Sequence, residues 1–259
     1  MHSTQIALLV AACVFGGGIF GLSLNRVLPE DHLTKETQDV IKLGTNMLTV
    51  LTSLVLGLLI ATANTSSGTI DRDVRAYAAD LILLDSALVD YGADADGARH
   101  LLRQYTEQTV RDVWKKPGGH PDGFEDVAAG VVLEQVMKAV RVLSPESHGQ
   151  RWLQEQALQT SISLLRQRWH LIEQNDRSVR PIVLAIVVSW IVTAFASFGL
   201  NAPRNATVVT FFALCAFAIG GSVFLILELD SPFTGVLRIS NQPMLSAIAH
   251  MKLDPRALR

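Results

Sequence analysis

The chain has 259 residues, of which 49% are apolar and only 18% charged, and its mean hydropathy of +0.30 is too high for an ordinary soluble domain. A formal net charge of -2, with no basic stripe interleaved with aromatics, leaves no footprint for nucleic acid, and none is expected as a partner. Cys13 and Cys215 both fall in apolar runs, so they read as small packing residues and report on no redox compartment.

Four windows are almost free of charge: Ile6 to Leu24, Leu43 to Ala63, Pro181 to Leu200, and Ala206 to Leu229 with Glu228 at its far edge. Each has the roughly 20 residues a helix needs to cross about 30 Å of hydrocarbon, so four transmembrane helices are predicted. The "MHSTQ" before the first holds no Lys or Arg, and bulky residues follow it in "LSLNRVLPED", which fits a retained helix better than a cleaved signal. Within it Cys13, Gly17 and Gly21 share a face at intervals of four, widened by Gly16 and Gly18. Small residues at that spacing let helices approach closely, either inside one subunit or around an oligomer axis. The outer connection "VLPEDHLTKETQDVIK" offers Asp31 or Thr34 as the cap of a short interfacial helix.

The second window is the most polar. Thr45, Thr49 and Thr52 or Ser53 trace one stripe with Asn46 beside it, and Leu54 to Ile60 is wholly apolar. A water-filled pore with Thr45, Asn46, Thr49 and Ser53 facing water and Leu56 to Ile60 as its gate, Leu56, Leu59 and Ile60 among them, would have this pattern. Hydrogen bonding between helices accounts for it equally well.

Asn64 to Arg180 carries most of the charge and reads as helical throughout. Val74, Ala78, Leu81, Leu84, Leu88 and Tyr91 repeat at three and four and are followed by Gly92. Ala98, Leu101, Leu102, Tyr105 and Thr109 mark a second helix, after which "KKPGGHPDG" (Lys115 to Gly123) forms a loop. A third is predicted over Phe124 to Leu143. The fourth, Gln150 to Val179, places Leu158, Ile162, Leu165, Trp169 and Ile172 on a narrow seam, for packing within an antiparallel bundle or between subunits. In "FGLNAPRNATVV" Gly199 and Asn201 close the third membrane helix and Asn205 caps the fourth, making a tight hairpin. Along the third membrane helix Ser189, Thr193 and Ser197 continue a small-residue stripe begun by Ala185, a packing glue.

Membrane-proximal Lys and Arg set orientation. Arg72, Arg75, Arg166, Arg168, Arg177, Arg180 and Arg238 outnumber Arg26, Lys35, Lys42 and Arg204 on the opposite side, which puts both termini and the helical region in the cytoplasm. The resulting division is 1–63 for two membrane helices and their outer loop, 64–180 for a cytoplasmic helical domain, 181–230 for two further membrane helices, and 231–259 for a cytoplasmic tail.

No catalytic constellation is visible. The seven histidines are scattered without metal spacing, no P-loop or GxSxG occurs, and "GGGIFG" lies inside a membrane helix. An enzyme, a cofactor and a metal site are therefore not expected. Glu228 and Asp230 stand at the C-terminal end of the last helix, whose carbonyls disfavour anions. Three readings are open: solvated residues that stop the helix with Pro232, a pair with Arg180 or Arg238, or acidic groups at a pore mouth that attract cations or bind Ca2+.

The strings "LPEDHLTKETQDVIKLG", "LVLGLLIATANTS", "FGLNAPRNATV" and "LILELDSPFTGVLRIS", in this order and spacing, resemble the bacterial family of bestrophin-like domain proteins. The resemblance runs from the first helix to about Ile248 and is weakest in the cytosolic region. It implies an oligomeric ion channel, a pentamer, with four membrane helices, cytosolic termini and a pore lined by the second helix, and it favours anions. One departure is plain: where bestrophins narrow the pore with aromatic and branched residues, Leu54 to Ile60 is aliphatic. The expectation is an all-α, four-span protein of the bacterial inner membrane that conducts inorganic ions as a homo-oligomer. The alternative is a non-conducting scaffold or sensor whose cytoplasmic bundle binds a partner protein.

Overall fold

A computed structural model describes residues 3–24, 27, 34–114, 124, 127–174, 181–233 and 235–253. Among them the regular structure is helical: α1 Ser3–Leu24, α2 Lys35–Tyr91, a 3-10 turn Ala93–Ala95, α3 Asp96–Trp114, α4 Val127–Val142, α5 His148–Gln174, α6 Pro181–Asn201, α7 Ala206–Leu229 and α8 Gln242–Lys252. Four of these, α1, α2, α6 and α7, are long and apolar enough to cross a membrane. The loop at Lys115–Gly123 and the residues Arg177, Arg180 and Asp31 of the sequence reading lie outside the described residues.

The second membrane helix and the first helix after it are one element of 57 residues, not two. Asn64 to Asp73 is polar but contains no proline, and each added residue contributes a hydrogen bond once a helix is nucleated. Local side chains support the stretch: Thr65 Oγ1 donates to the Ala61 carbonyl at 2.9 Å, and Arg75 pairs with Asp71 one turn back at 2.9 Å. At the start, Thr34 caps this long helix rather than a separate interfacial one, its Oγ1 accepting from the Thr37 N–H at 3.3 Å. At the end, Gly92 has φ 123, a conformation that L side chains avoid, and Gln150 Nε2 donates to the Tyr91 carbonyl at 3.2 Å.

The chain forms two compact units, Met1–Ser66 with Arg177–Asp230, and Ser67–Asp176 with Ser231–Arg259. In the first, α1 lies against α6 and α7. Apolar area gives no drive for helices to associate in lipid, so close approach must supply the attraction, and glycine supplies it here. A Cβ on Gly17 would stand 2.9 Å from the Val192 carbonyl oxygen, one on Gly21 would overlap the Ala196 carbonyl, and one on Gly199 the Gly18 carbonyl. Gly17 and Gly21 therefore pack within the subunit. Cys13 is exposed and is no part of that seam. Gly199 is an interior residue of α6 held for contact, not a helix stop. Asn205 does cap α7, its side chain accepting from the Val208 N–H at 2.9 Å.

The second unit has a conventional core. Val74, Tyr77, Leu81, Leu84 and Leu88 of α2 meet Leu102, Tyr105, Leu133, Val136, Leu164 and Leu171. Ser147 and Gln150 form a reciprocal N-terminal box for α5, Ser147 Oγ accepting from the Gln150 N–H and Gln150 Oε1 from the Ser147 N–H. The buried face of α5 is Ala157, Ser161, Leu164, Arg168 and Leu171, one step round from the predicted seam. Leu158, Leu165 and Ile172 are half-buried against the core, whereas Ile162 and Trp169 are exposed. The shift has a chemical cause. Arg168 is buried and donates to the Tyr105 hydroxyl at 3.3 Å, and that hydroxyl is itself bonded to Tyr77, so a cation occupies the face a periodicity count leaves to solvent. Arg168 is accordingly not one of the surface charges that orient a membrane protein.

The described part of the segment after Asp230 packs into the second unit's core. Phe233 stacks edge-on against Trp114 at 5.6 Å, Trp114 Nε1 donates to the Ile239 carbonyl at 2.9 Å, and α8 buries Met244, Ala247, Ile248 and Met251.

Candidate functional site: the uncovered face of the second span

Of the four spans α2 is covered least. Only 11% of its most apolar window is buried, against 39% for α1 and 28% each for α6 and α7. One side of the membrane half meets the rest of the unit: Val55, Leu56 and Leu59 pack against the core of Val14, Ile191 and Phe195, and Thr45 is buried with its hydroxyl 2.6 Å from that of Ser197 on α6. Thr52 is also buried and donates to the Leu48 carbonyl at 2.7 Å. The opposite side, with Met47, Leu51, Leu54, Leu58 and Ala61 spaced by four and three, is exposed, Leu54 to 70% and Leu58 to 64%.

This placement divides the residues singled out from sequence. Thr45 faces α6, not water, because its hydroxyl is taken by Ser197. Leu56 and Leu59 are spent on the subunit's own core, and Ile60 is half-buried between the two sides. Thr49 is half-buried and returns its proton to the Thr45 carbonyl at 2.8 Å. Asn46 and Ser53 are exposed; Ser53 donates to the Thr49 carbonyl at 2.9 Å. Ser189 and Thr193 are exposed and donate to the carbonyls of Ile186 and Ser189 at 2.7 and 2.9 Å, so Ser197 alone of that stripe joins two helices. Leu58 falls inside the predicted constriction, whereas the exposed Met47, Leu51 and Leu54 lie outside it, because aliphatic residues occur on every side of this span. Their four-three spacing was the one available signal.

Glu228 is buried and Asp230 half-exposed. Full solvation at the interface therefore does not describe Glu228. Among the described residues no group of three His, Cys, Asp or Glu is arranged to hold a metal ion.

Outside the membrane half, Asp85 is buried and takes a two-pronged ion pair from Arg99 at 2.9 and 3.3 Å. Burial, and then the neighbouring Tyr105 hydroxyl, push the Tyr77 phenol well above its ordinary value of 10.0. These groups are sealed in the second unit's core and bind it together.

A helical chain with four membrane-spanning helices, one of them packed on one side only, defines a multi-pass membrane protein whose second span is left open along its length. The profile of the Bestrophin-like domain matches residues 11–244. The chain belongs to that family. Neither the curated proteins nor the solved structures contain a match to it.

Proposed function

We propose that the protein is an ion channel of the bacterial inner membrane, in which several copies, five by family analogy, gather with the open faces of α2 around a central pore. The observation that carries this reading is the uncovered side of α2. It holds Asn46, whose amide is exposed and costly to leave in hydrocarbon, in line with the exposed Ser53. Below them Leu54 and Leu58 would form an aliphatic constriction of the kind that gates by dewetting. Both termini and the second unit lie in the cytoplasm on this proposal. The protein is not an enzyme and needs no cofactor.

Purified protein in liposomes should pass ions, and Leu58→Ala should raise the flux by widening the constriction. No flux for any of several cations and anions would refute the channel reading. Native mass of the detergent-solubilised protein gives the copy number, and a monomer would leave the pore without a wall.

A second reading has its own observation. Trp169 is exposed to 63% and Ile162 to 50% on α5, beside the half-buried Leu165. On this reading the face is where a partner protein docks on a scaffold, and Trp169→Glu would abolish that docking while leaving membrane assembly intact.

A further inference from the structure

The last helix, α8, is held on the second unit by two kinds of contact. Met244, Ala247, Ile248 and Met251 are buried, and beside them His250 and Lys252 meet carboxylates of α2 and α3. Lys252 Nζ stands 3.6 Å from Glu107 Oε1, which also takes Arg103 at 3.3 Å. His250 Nδ1 stands 3.9 Å from Asp85 Oδ2. A helix of 11 residues is marginal in water by itself, so α8 forms together with its docking.

The His250 contact is unfinished. Asp85 is 2% exposed, and Arg99 on α3 bonds both of its oxygens, Oδ1 at 2.9 Å and Oδ2 at 3.3 Å. The longer of these bonds falls on Oδ2, the oxygen that His250 faces, and a carboxylate oxygen has room for a second donor. Nδ1 is shut off from solvent and has no hydrogen-bond partner among the described residues. The side chain as a whole is 41% exposed, so the ring exchanges protons with water while one nitrogen stays against the carboxylate. At 3.9 Å a neutral imidazole makes no hydrogen bond. An imidazolium brings a charged N–H to a buried anion. Arg99, Arg103 and Lys252 oppose that added charge, and Asp85 and Glu107 favour it. Asp85 stands at contact distance in the driest part of the site, where attraction is screened least.

We propose that His250 is a proton-operated latch: protonation of its ring fastens α8 to α2 through Asp85, and loss of that proton loosens α8. Imidazole ordinarily changes charge near about pH 6.5, so the latch closes as the compartment around this unit acidifies and its added attraction is lost as the pH rises. The latch is separate from the open face of α2, and its test does not depend on ion conduction.

Hydrogen exchange of the α8 amides, followed by mass spectrometry on the full-length protein in mild detergent, reads detachment of this helix. The quantity to compare is the exchange rate of His250→Gln divided by that of wild type at the same pH, because intrinsic exchange and the other titrating groups then cancel. This ratio should be about threefold higher at about pH 5.5 than at about pH 8, the order of a part-exposed ion pair. His250→Lys stays charged throughout, so the rate of His250→Gln divided by that of His250→Lys should not change with pH. Glu107→Gln, introduced into both wild type and His250→Gln, should leave the threefold change in place, which separates Asp85 from the second carboxylate. A wild-type ratio that is constant with pH, a change that persists against His250→Lys, or a change that disappears with Glu107→Gln would each overturn the proposal.

Discussion

α2 is one helix with two environments. From Val74 to Leu88 its inward side is fully buried, at Val74, Tyr77, Leu81, Leu84 and Leu88. From Met47 to Ala61 the stripe described above is open. The two halves are similar in aliphatic content, so composition does not explain the difference; the neighbours do. The lower half is wrapped by helices that bring their own large side chains, whereas in the membrane unit the glycines of α1 draw α6 and α7 to that helix and leave α2 on the flank. A helix can therefore be continuous while one half of it is enclosed by its own subunit and the other is packed on one side only.

Truncations on the two halves should separate them. Leu81→Ala, in the buried half, should destabilise the second unit by about 2–5 kcal/mol, the usual range for a core leucine, measured by denaturant unfolding of the purified protein. A loss under about 1 kcal/mol would mean that this half is not the core described. Next in size is a pH effect. Tyr77 has its pKa raised by burial, so the stability it contributes is complete below about pH 10, where an unfolded tyrosine is also protonated, and is lost as the pH rises further. Melting followed by circular dichroism should show a falling transition temperature above that pH, with a shallower fall in Tyr77→Phe; identical slopes would remove Tyr77 from the account.

Thr45→Val tests the hydroxyl pair of Thr45 and Ser197 between the membrane half of α2 and α6. Hydrogen bonds between membrane helices average about 0.6 kcal/mol, so a small loss is expected, largely cancelled in the double variant Thr45→Val with Ser197→Ala. Strictly additive losses would argue against the bond. The smallest effect on stability should come from Leu58→Ala. That side chain is uncovered, and its truncation should cost the isolated chain under about 0.5 kcal/mol. If Leu58→Ala costs as much as Leu81→Ala in a monomeric preparation, the two halves of α2 are not different after all.

Four spans, a helical intervening region and the Asn205 cap were legible in the sequence because each rests on local chemistry: run length against bilayer thickness, apolar spacing, a side-chain oxygen before a helix. The glycine spacing of α1 was legible too, though not what the glycines touch. Faces were harder to assign. In a span that is apolar all round, the pattern holds no direction, so nothing marked Leu54 and Leu58 as uncovered or Leu56 and Leu59 as covered. Thr45 looked like a pore residue until Ser197 was found opposite it, 152 positions along the chain. On α5 the buried cation Arg168 displaced the face that counting would choose, and Glu228 is buried where a helix end suggested solvent. Each of these was decided by partners distant in sequence, because burial of a hydroxyl, a guanidinium or a carboxylate depends on whether another chain segment arrives to satisfy it. Local spacing determines that a helix forms; only the tertiary structure determines which of its sides is left for something else to cover.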